Sequence, residues 1–201
     1  MLQRLLRFQI RDWALPIAIC VTLVALHAMG DHTVQTLRYD RGAVLAGETW
    51  RLVTAHLVHA DPGHLAWNLL GVLLVWWLFA DEHSAVDWLL IMVGSTVAID
   101  LGFLFAMPKL GWYLGFSGVL HGLMAAGLLS WLLRVRDPLT TIVTALFVAK
   151  LAWEHLVGPL PFTARSMTLP VIHEAHSFGA IGGAATAAAL QAIRRRQAAP
   201  L

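Results

Sequence analysis

Residues able to carry out acyl transfer open three separate apolar runs of this chain. Ser117 lies in Gly115-Phe116-Ser117-Gly118 at the start of one run, His64 and Asn68 open a second, and His173 and His176 a third. A serine hydroxyl is a weak nucleophile until a base takes its proton, and an imidazole neutral near pH 7 suits that task. The charge that develops on the attacked carbonyl oxygen needs donors. An Asn amide, a His N–H or the backbone N–H groups of a helix N-terminus can supply them. Gly115 and Gly118 would let a substrate backbone come close to the serine. Each residue also has a plainer reading, since small residues let membrane helices approach and Ser, Asn or His can bond neighbouring backbone.

The elements that must position these residues are membrane helices. Of the 201 residues 58% are hydrophobic and 13% charged, and the mean hydropathy is +0.68. Soluble domains carry about 25% charged residues, so lipid is the main solvent here. A hydrocarbon core roughly 30 Å thick needs about 20 helical residues, and such runs are expected at 13–29, 64–79, 86–107, 117–133, 139–157 and 171–193. Asp61-Pro62-Gly63, Asp81-Glu82-His83, Pro108, Asp137-Pro138, Gly158-Pro159 and Pro161 punctuate them. The expected fold is an all-α integral membrane bundle of six helices in a single domain over 1–201. The first run follows arginines as a signal peptide would, but it is long for one, so it is read as an anchor.

Arginines gather at segment ends, which is how topology is written in a membrane protein and not a mark of nucleic-acid binding. With six spans, one side holds Arg4, Arg7, Arg11, Arg134, Arg136, Arg194, Arg195 and Arg196, and the other Arg38, Arg41, Arg51, Lys109 and Arg165. This bias puts both termini in the cytoplasm, with 1–12 as a leading segment and 194–201 as a basic tail. The second, fourth and sixth spans then all enter from the non-cytoplasmic face. His64, Asn68, Ser117, His173 and His176 lie within about 10 Å of that end. Polar groups in hydrocarbon usually face the bundle interior or a water-filled cavity, so shared depth on three helices points to one site.

Gly115-x-Ser117-x-Val119 lacks the last glycine of the nucleophile elbow, so a soluble hydrolase fold is not indicated. The single cysteine, Cys20, excludes an intrachain disulfide.

In order and spacing, Trp50-Arg51, "HADPGHLAWN" with His59, His64 and Asn68, "GFSG" around Ser117 and "HSFGAIGG" with Gly179 and Gly183 resemble the rhomboid family of intramembrane serine proteases. The resemblance runs from Trp50 to Gly183. It implies Ser117 as nucleophile, His176 as base with no carboxylate, and His64, Asn68 and the Ser117 backbone N–H as the oxyanion hole. It further implies that Gly179 and Gly183 let the last span pack on the fourth, that Arg51 and His59 shape the first loop, and that neither cofactor nor metal takes part. His121 departs from the pattern, standing where many rhomboids have a tyrosine beside the catalytic histidine.

"SGVLHGL", Lys150-Leu151-Ala152-Trp153-Glu154 and "HEAHSFGAIGG" resemble the rhombosortase branch. That implies a bacterial inner-membrane enzyme. Its partners would be the lipid bilayer and membrane-anchored proteins with a C-terminal Gly/Ser-rich tail, one hydrophobic helix and a basic end. Release would be by water, or by an amine in a transfer. Lys150 and Glu154, four residues apart, are expected to pair with each other or with Asp100, or to form a patch that receives the substrate tail. Two rivals stand beside this reading. His56/His59 and His173/His176, with Glu174, offer zinc-ligand types, although "HEAH" is one residue short of the zincin spacing. An inactive relative that binds helices without cutting them is the other.

Overall fold

The computed structural model describes residues 13–135, 137–160 and 171–198. The segment 1–12, with Arg4, Arg7 and Arg11, lies outside the described residues, as do Arg136, Pro161, Arg165 and 199–201.

Helices appear at all six expected places. They are α1 (Ala14–Ala28), α5 (Pro62–Phe79), α6 (Ala85–Leu101), α7 (Ser117–Arg134), α8 (Pro138–Leu156) and α9 (Glu174–Ala198). Between α1 and α5 lie α2 (Asp31–Leu37), β1 (Tyr39–Asp40), α3 (Arg41–Leu45) and α4 (Arg51–Thr54), and β2 (Trp112–Tyr113) precedes α7. His173, expected inside the last helix, sits just ahead of α9.

Local chemistry fixes the helix starts. Asp61 and Asp137 accept from the backbone N–H of His64 and Thr140 at 2.8 and 2.7 Å, and each is followed by a proline at the first helical position. Both features favour initiation, the first by satisfying an orphan donor and the second by a pre-set φ. Ser84 and Asp87 form a reciprocal capping box at the start of α6.

Among the described residues, three helical stretches are long and apolar enough to cross a membrane, namely 62–82, 85–106 and 138–156. The pair α1–α2, bent by 113°, makes a fourth candidate. Helices α7 and α9 fall short of that standard for a physical reason. They are rich in Gly, Ala and Ser because they pack on each other and on α6, so their faces meet protein and need less apolar surface. A Cβ on Gly179 would fall on the Gly118 carbonyl, and one on Gly183 on the Gly122 carbonyl. In the same way a Cβ on Gly182 would come within 2.5 Å of the Gly94 carbonyl of α6. Glycine is what lets these backbones touch.

The connection between α1 and α5 is an ordered scaffold. Arg51 donates to Glu48 at 2.7 Å and to the carbonyls of Gln35 and Arg38 at 3.0 and 2.8 Å, gathering α2, the strand and α4. Arg41 reaches the carbonyls of Phe103 and Leu104, in the π-helical turn Gly102–Ala106 that ends α6, at 3.0 and 3.1 Å. β1 pairs antiparallel with β2, Tyr39 opposite Tyr113, and Gly115 N–H donates to the Ala55 carbonyl at 2.9 Å. The chain entering α7 is therefore held against this scaffold at the residue before Phe116.

Candidate active site

Ser117 is the first residue of α7, and the early N–H groups of a helix have no intrahelical acceptor. Its Oγ lies 2.9 Å from His176 Nε2. His176 is in the first turn of α9, 5% exposed, and the glycine contacts between α7 and α9 set the register that brings the two together. A cavity of about 330 Å³ opens here, lined among others by His64, Asn68, Tyr113, Ser117, His121, Lys150, Glu154 and His176. Thus α5, α7 and α9 deliver His64, Asn68, Ser117 and His176 to one place.

Proton positions follow from donor and acceptor capacity. Two groups compete for His176 Nδ1, the Glu154 Oε2 acceptor at 2.8 Å and the Lys150 donor at 3.3 Å. The shorter contact, to a carboxylate that only accepts, puts the proton on Nδ1. The Nε2 lone pair then faces Ser117, whose hydroxyl donates to it. Lys150 Nζ donates to Glu154 Oε2 at 2.6 Å and to His121 Nε2. His121 in turn donates from Nδ1 to the Ser117 carbonyl at 2.7 Å. The bonds run from Ser117 through His176, Glu154, Lys150 and His121 back to Ser117.

His121, Glu154 and His176 offer ligand atoms all within 4.8 Å of one another, which suits a cation. The Lys150 ammonium lies among these same atoms, within hydrogen-bond distance of all three residues, the longest contact being 3.3 Å to His176 Nδ1. The other histidines considered for zinc have separate partners. His56 meets Asp100 at 3.4 Å, His59 meets Asn68, and His173 lies 3.8 Å from Glu174. The pairing of Lys150 with Glu154 is thus present, whereas Asp100 goes to His56.

Asn68 Nδ2 donates to His59 Nε2 at 2.9 Å and to the His64 carbonyl at 3.1 Å. With both amide protons engaged, binding an oxyanion requires one of these bonds to be shared or exchanged. Burial, reinforced by the nearby imidazoles of His64 and His27, pushes His59 down to about 3, so it presents a lone pair to Asn68 at neutral pH. Gly115 has φ +121°, and a Cβ there would come within 2.5 Å of the His64 ring. Glycine therefore permits both the turn into α7 and the seat of His64. Tyr113, its hydroxyl donating to the Gly115 carbonyl at 2.8 Å, braces the same turn. Burial raises its phenol well above the usual range, so it stays a donor.

A second serine–histidine contact lies at the other end of α7, where Ser130 Oγ is 3.0 Å from His83 Nε2. Ser130 sits inside the helix, some 20 Å along it from Ser117. It also accepts from Gln191 at 3.0 Å. An interior helical position offers no free backbone N–H to an oxyanion, so contact alone does not make a site.

Sequence reasoning did not place Glu154 and Lys150 at His176, nor Tyr113 beside Ser117. Their types and spacing were visible, but the helix face they share with α9 was not.

The model of the rhomboid domain matches residues 46–193. The chain is 30% identical over 181 residues to the rhomboid protease GlpG of Salmonella choleraesuis (strain SC-B67) and to that of Salmonella typhi, covering 87% of this chain and 61% of each relative. To the GlpG of Salmonella paratyphi A (strain ATCC 9150 / SARB42) it is 30% identical over 147 residues, 70% of this chain and 50% of the relative. The chain spans about half to three-fifths of the length of these relatives. It belongs to the rhomboid family and is a multi-pass membrane protein.

Proposed function

We propose that this chain is an intramembrane serine endopeptidase in which Ser117 is the nucleophile and His176 its base. The observation that carries this reading is the 2.9 Å approach of Ser117 Oγ to His176 Nε2 inside a cavity that also holds His64 and Asn68. In the first half-reaction Ser117 Oγ bonds to the scissile carbonyl carbon while its proton passes to Nε2. The carbonyl oxygen becomes an oxyanion facing the Ser117 N–H, His64 and Asn68. When the C–N bond breaks, Nε2 returns the proton to the departing amine and leaves an ester on Ser117. Water then attacks the ester, gives its proton to Nε2, and Ser117 recovers it as the acid product leaves. An amine in place of water gives transfer.

All six long helices span the bilayer in this reading. The single domain covers 1–201 with both termini cytoplasmic, as the Lys/Arg distribution favours, and the site lies toward the periplasmic end in a bacterial inner membrane. A stable transmembrane helix hides its carbonyls in i to i−4 bonds, so substrates should be weakened by Gly or Ser near the outer end of their anchor. The substrate class that fits is the rhombosortase type, a C-terminal Gly/Ser-rich tail with one hydrophobic helix and a basic end. The curated relatives are named simply rhomboid proteases, which favours general anchor cleavage as the second reading.

A membrane-anchored reporter carrying such a tail tests this. Cleavage by wild type, its loss in Ser117→Ala and His176→Ala, and protection when the tail glycines are replaced by leucine are expected. Equal cleavage of the leucine-stiffened tail removes the sorting-tail class and leaves the general protease. Undiminished cleavage by Ser117→Ala removes both.

A further inference from the structure

We propose that Glu154, held by Lys150, is the positioning carboxylate of His176, so that the site works as a Ser117–His176–Glu154 triad. This rests on the serine-protease reading above. The two-residue mechanism asks nothing of Glu154, yet its placement is specific. Helix α8 buries only Thr140 and Glu154, and Glu154 is 3% exposed. A carboxylate carried to that depth is costly unless paired, and the i, i+4 ammonium of Lys150 compensates it. If ion pairing were the whole purpose, the pair would be complete within α8. Instead, the oxygen that accepts from Lys150 also accepts the Nδ1 proton of His176.

That bond has two consequences for the reaction. Nδ1 donating to Glu154 fixes the tautomer whose Nε2 lone pair faces Ser117, and it fixes the ring plane toward Oγ. When the Ser117 proton moves to Nε2, the imidazolium that forms lies beside a negative charge. Glu154 gains no proton and forms no bond to substrate. Lys150 supplies its restraint by donating to both Glu154 and His121, which keeps the carboxylate from turning outward. His121, stacked on the His176 ring at 4.0 Å, blocks rotation from the other side.

The test is the pH dependence of reporter cleavage by the full-length protein, comparing wild type, Glu154→Gln and Glu154→Asp. The charged and titratable groups facing His176 are Glu154 and Lys150 of α8, His121 of α7, His64 of α5 and His173 on its own segment, and only the first differs among these proteins. A neighbouring carboxylate favours protonated imidazole, so its removal lets His176 stay neutral to lower pH. Glu154→Gln should therefore move the acid limb of kcat/KM lower. Its kcat should fall on the order of a hundredfold or more, with KM little changed. Glu154→Asp should keep the wild-type acid limb and recover part of the loss. A Glu154→Gln protein with wild-type kcat and an unmoved acid limb overturns the triad while leaving the serine-protease reading intact. Should the variant fail to fold, nitrogen NMR on histidine-labelled wild type decides instead. His176 as the Nδ1–H tautomer supports the proposal, and the Nε2–H tautomer overturns it. Loss of all dependence on Ser117 would sink the underlying reading, a separate outcome.

Discussion

The imidazole of His121 lies on that of His176, with ring centroids 4.0 Å apart and planes 12° from parallel. The same His121 donates to the Ser117 carbonyl and accepts from Lys150. One residue of α7 therefore packs the base of α9, touches the nucleophile's backbone and ties in α8. Where many rhomboids have tyrosine, this chain keeps an aromatic face and adds a second bonding edge.

His121→Ala should lower reporter turnover several-fold while the protein still inserts, since an aromatic pair contributes about 0.5–1.5 kcal/mol beyond its buried area. His121→Tyr keeps the stack and should retain more activity than Ala. Initial rates for the two variants check this, and an alanine variant as fast as wild type would contradict it.

Gly179 is one of the two glycines of α9 that meet the backbone of α7. Adding a Cβ there places it on the Gly118 carbonyl, so Gly179→Ala should destabilise by about 1–3 kcal/mol, the cost of overpacking. Gly111→Ala is the control, because a Cβ there meets nothing within 4 Å. Thermal unfolding in detergent should separate the two, and equal midpoints would refute the close-contact reading.

His59 predicts a loss of stability in acid. Its native pKa is about 3 against 6.5 for the free side chain, so below 6.5 the unfolded chain takes up a proton that the fold refuses. The contribution is intact above pH 6.5 and is lost progressively as pH falls toward 3, at ~1.4 kcal/mol per unit of that gap. His59→Gln should flatten this part of the curve of unfolding midpoint against pH. An unchanged slope would show that other groups carry it.

Asn68→Ala should reduce turnover on the order of a hundred- to a thousandfold, as loss of an oxyanion donor does, while labelling by a serine-directed probe persists more slowly. Near-normal turnover would leave Asn68 only its bonds to His59 and the His64 carbonyl.

Much of this was legible in the chain. Asp61-Pro62 and Asp137-Pro138 marked helix starts to within a residue or two, because capping and proline chemistry are local. The coincidence in depth of His64, Asn68, Ser117 and His176 could be counted from helix ends. The region between α1 and α5 was not legible, because its short helices and two-residue strands are held by Arg51, Arg41 and pairing to residues near 113, all long-range. Glu154 illustrates the remaining limit. Four-residue spacing announced its pairing with Lys150, but only the rotation of α8 about its axis decides whether the pair faces His176, Asp100 or lipid. The Gly- and Ala-rich contact faces of α7 and α9 also lower the hydropathy of those two helices.

The central claim is that Ser117 is the activated serine, and one measurement addresses it directly. Purified wild-type protein is treated with a fluorophosphonate, with and without a chelator, and the adduct is located by peptide mass spectrometry. The account predicts one adduct, on Ser117, unaffected by the chelator, retained in Ser130→Ala and absent from Ser117→Ala. An adduct on Ser130, or proteolysis that leaves Ser117 unlabelled and stops with the chelator, would contradict it.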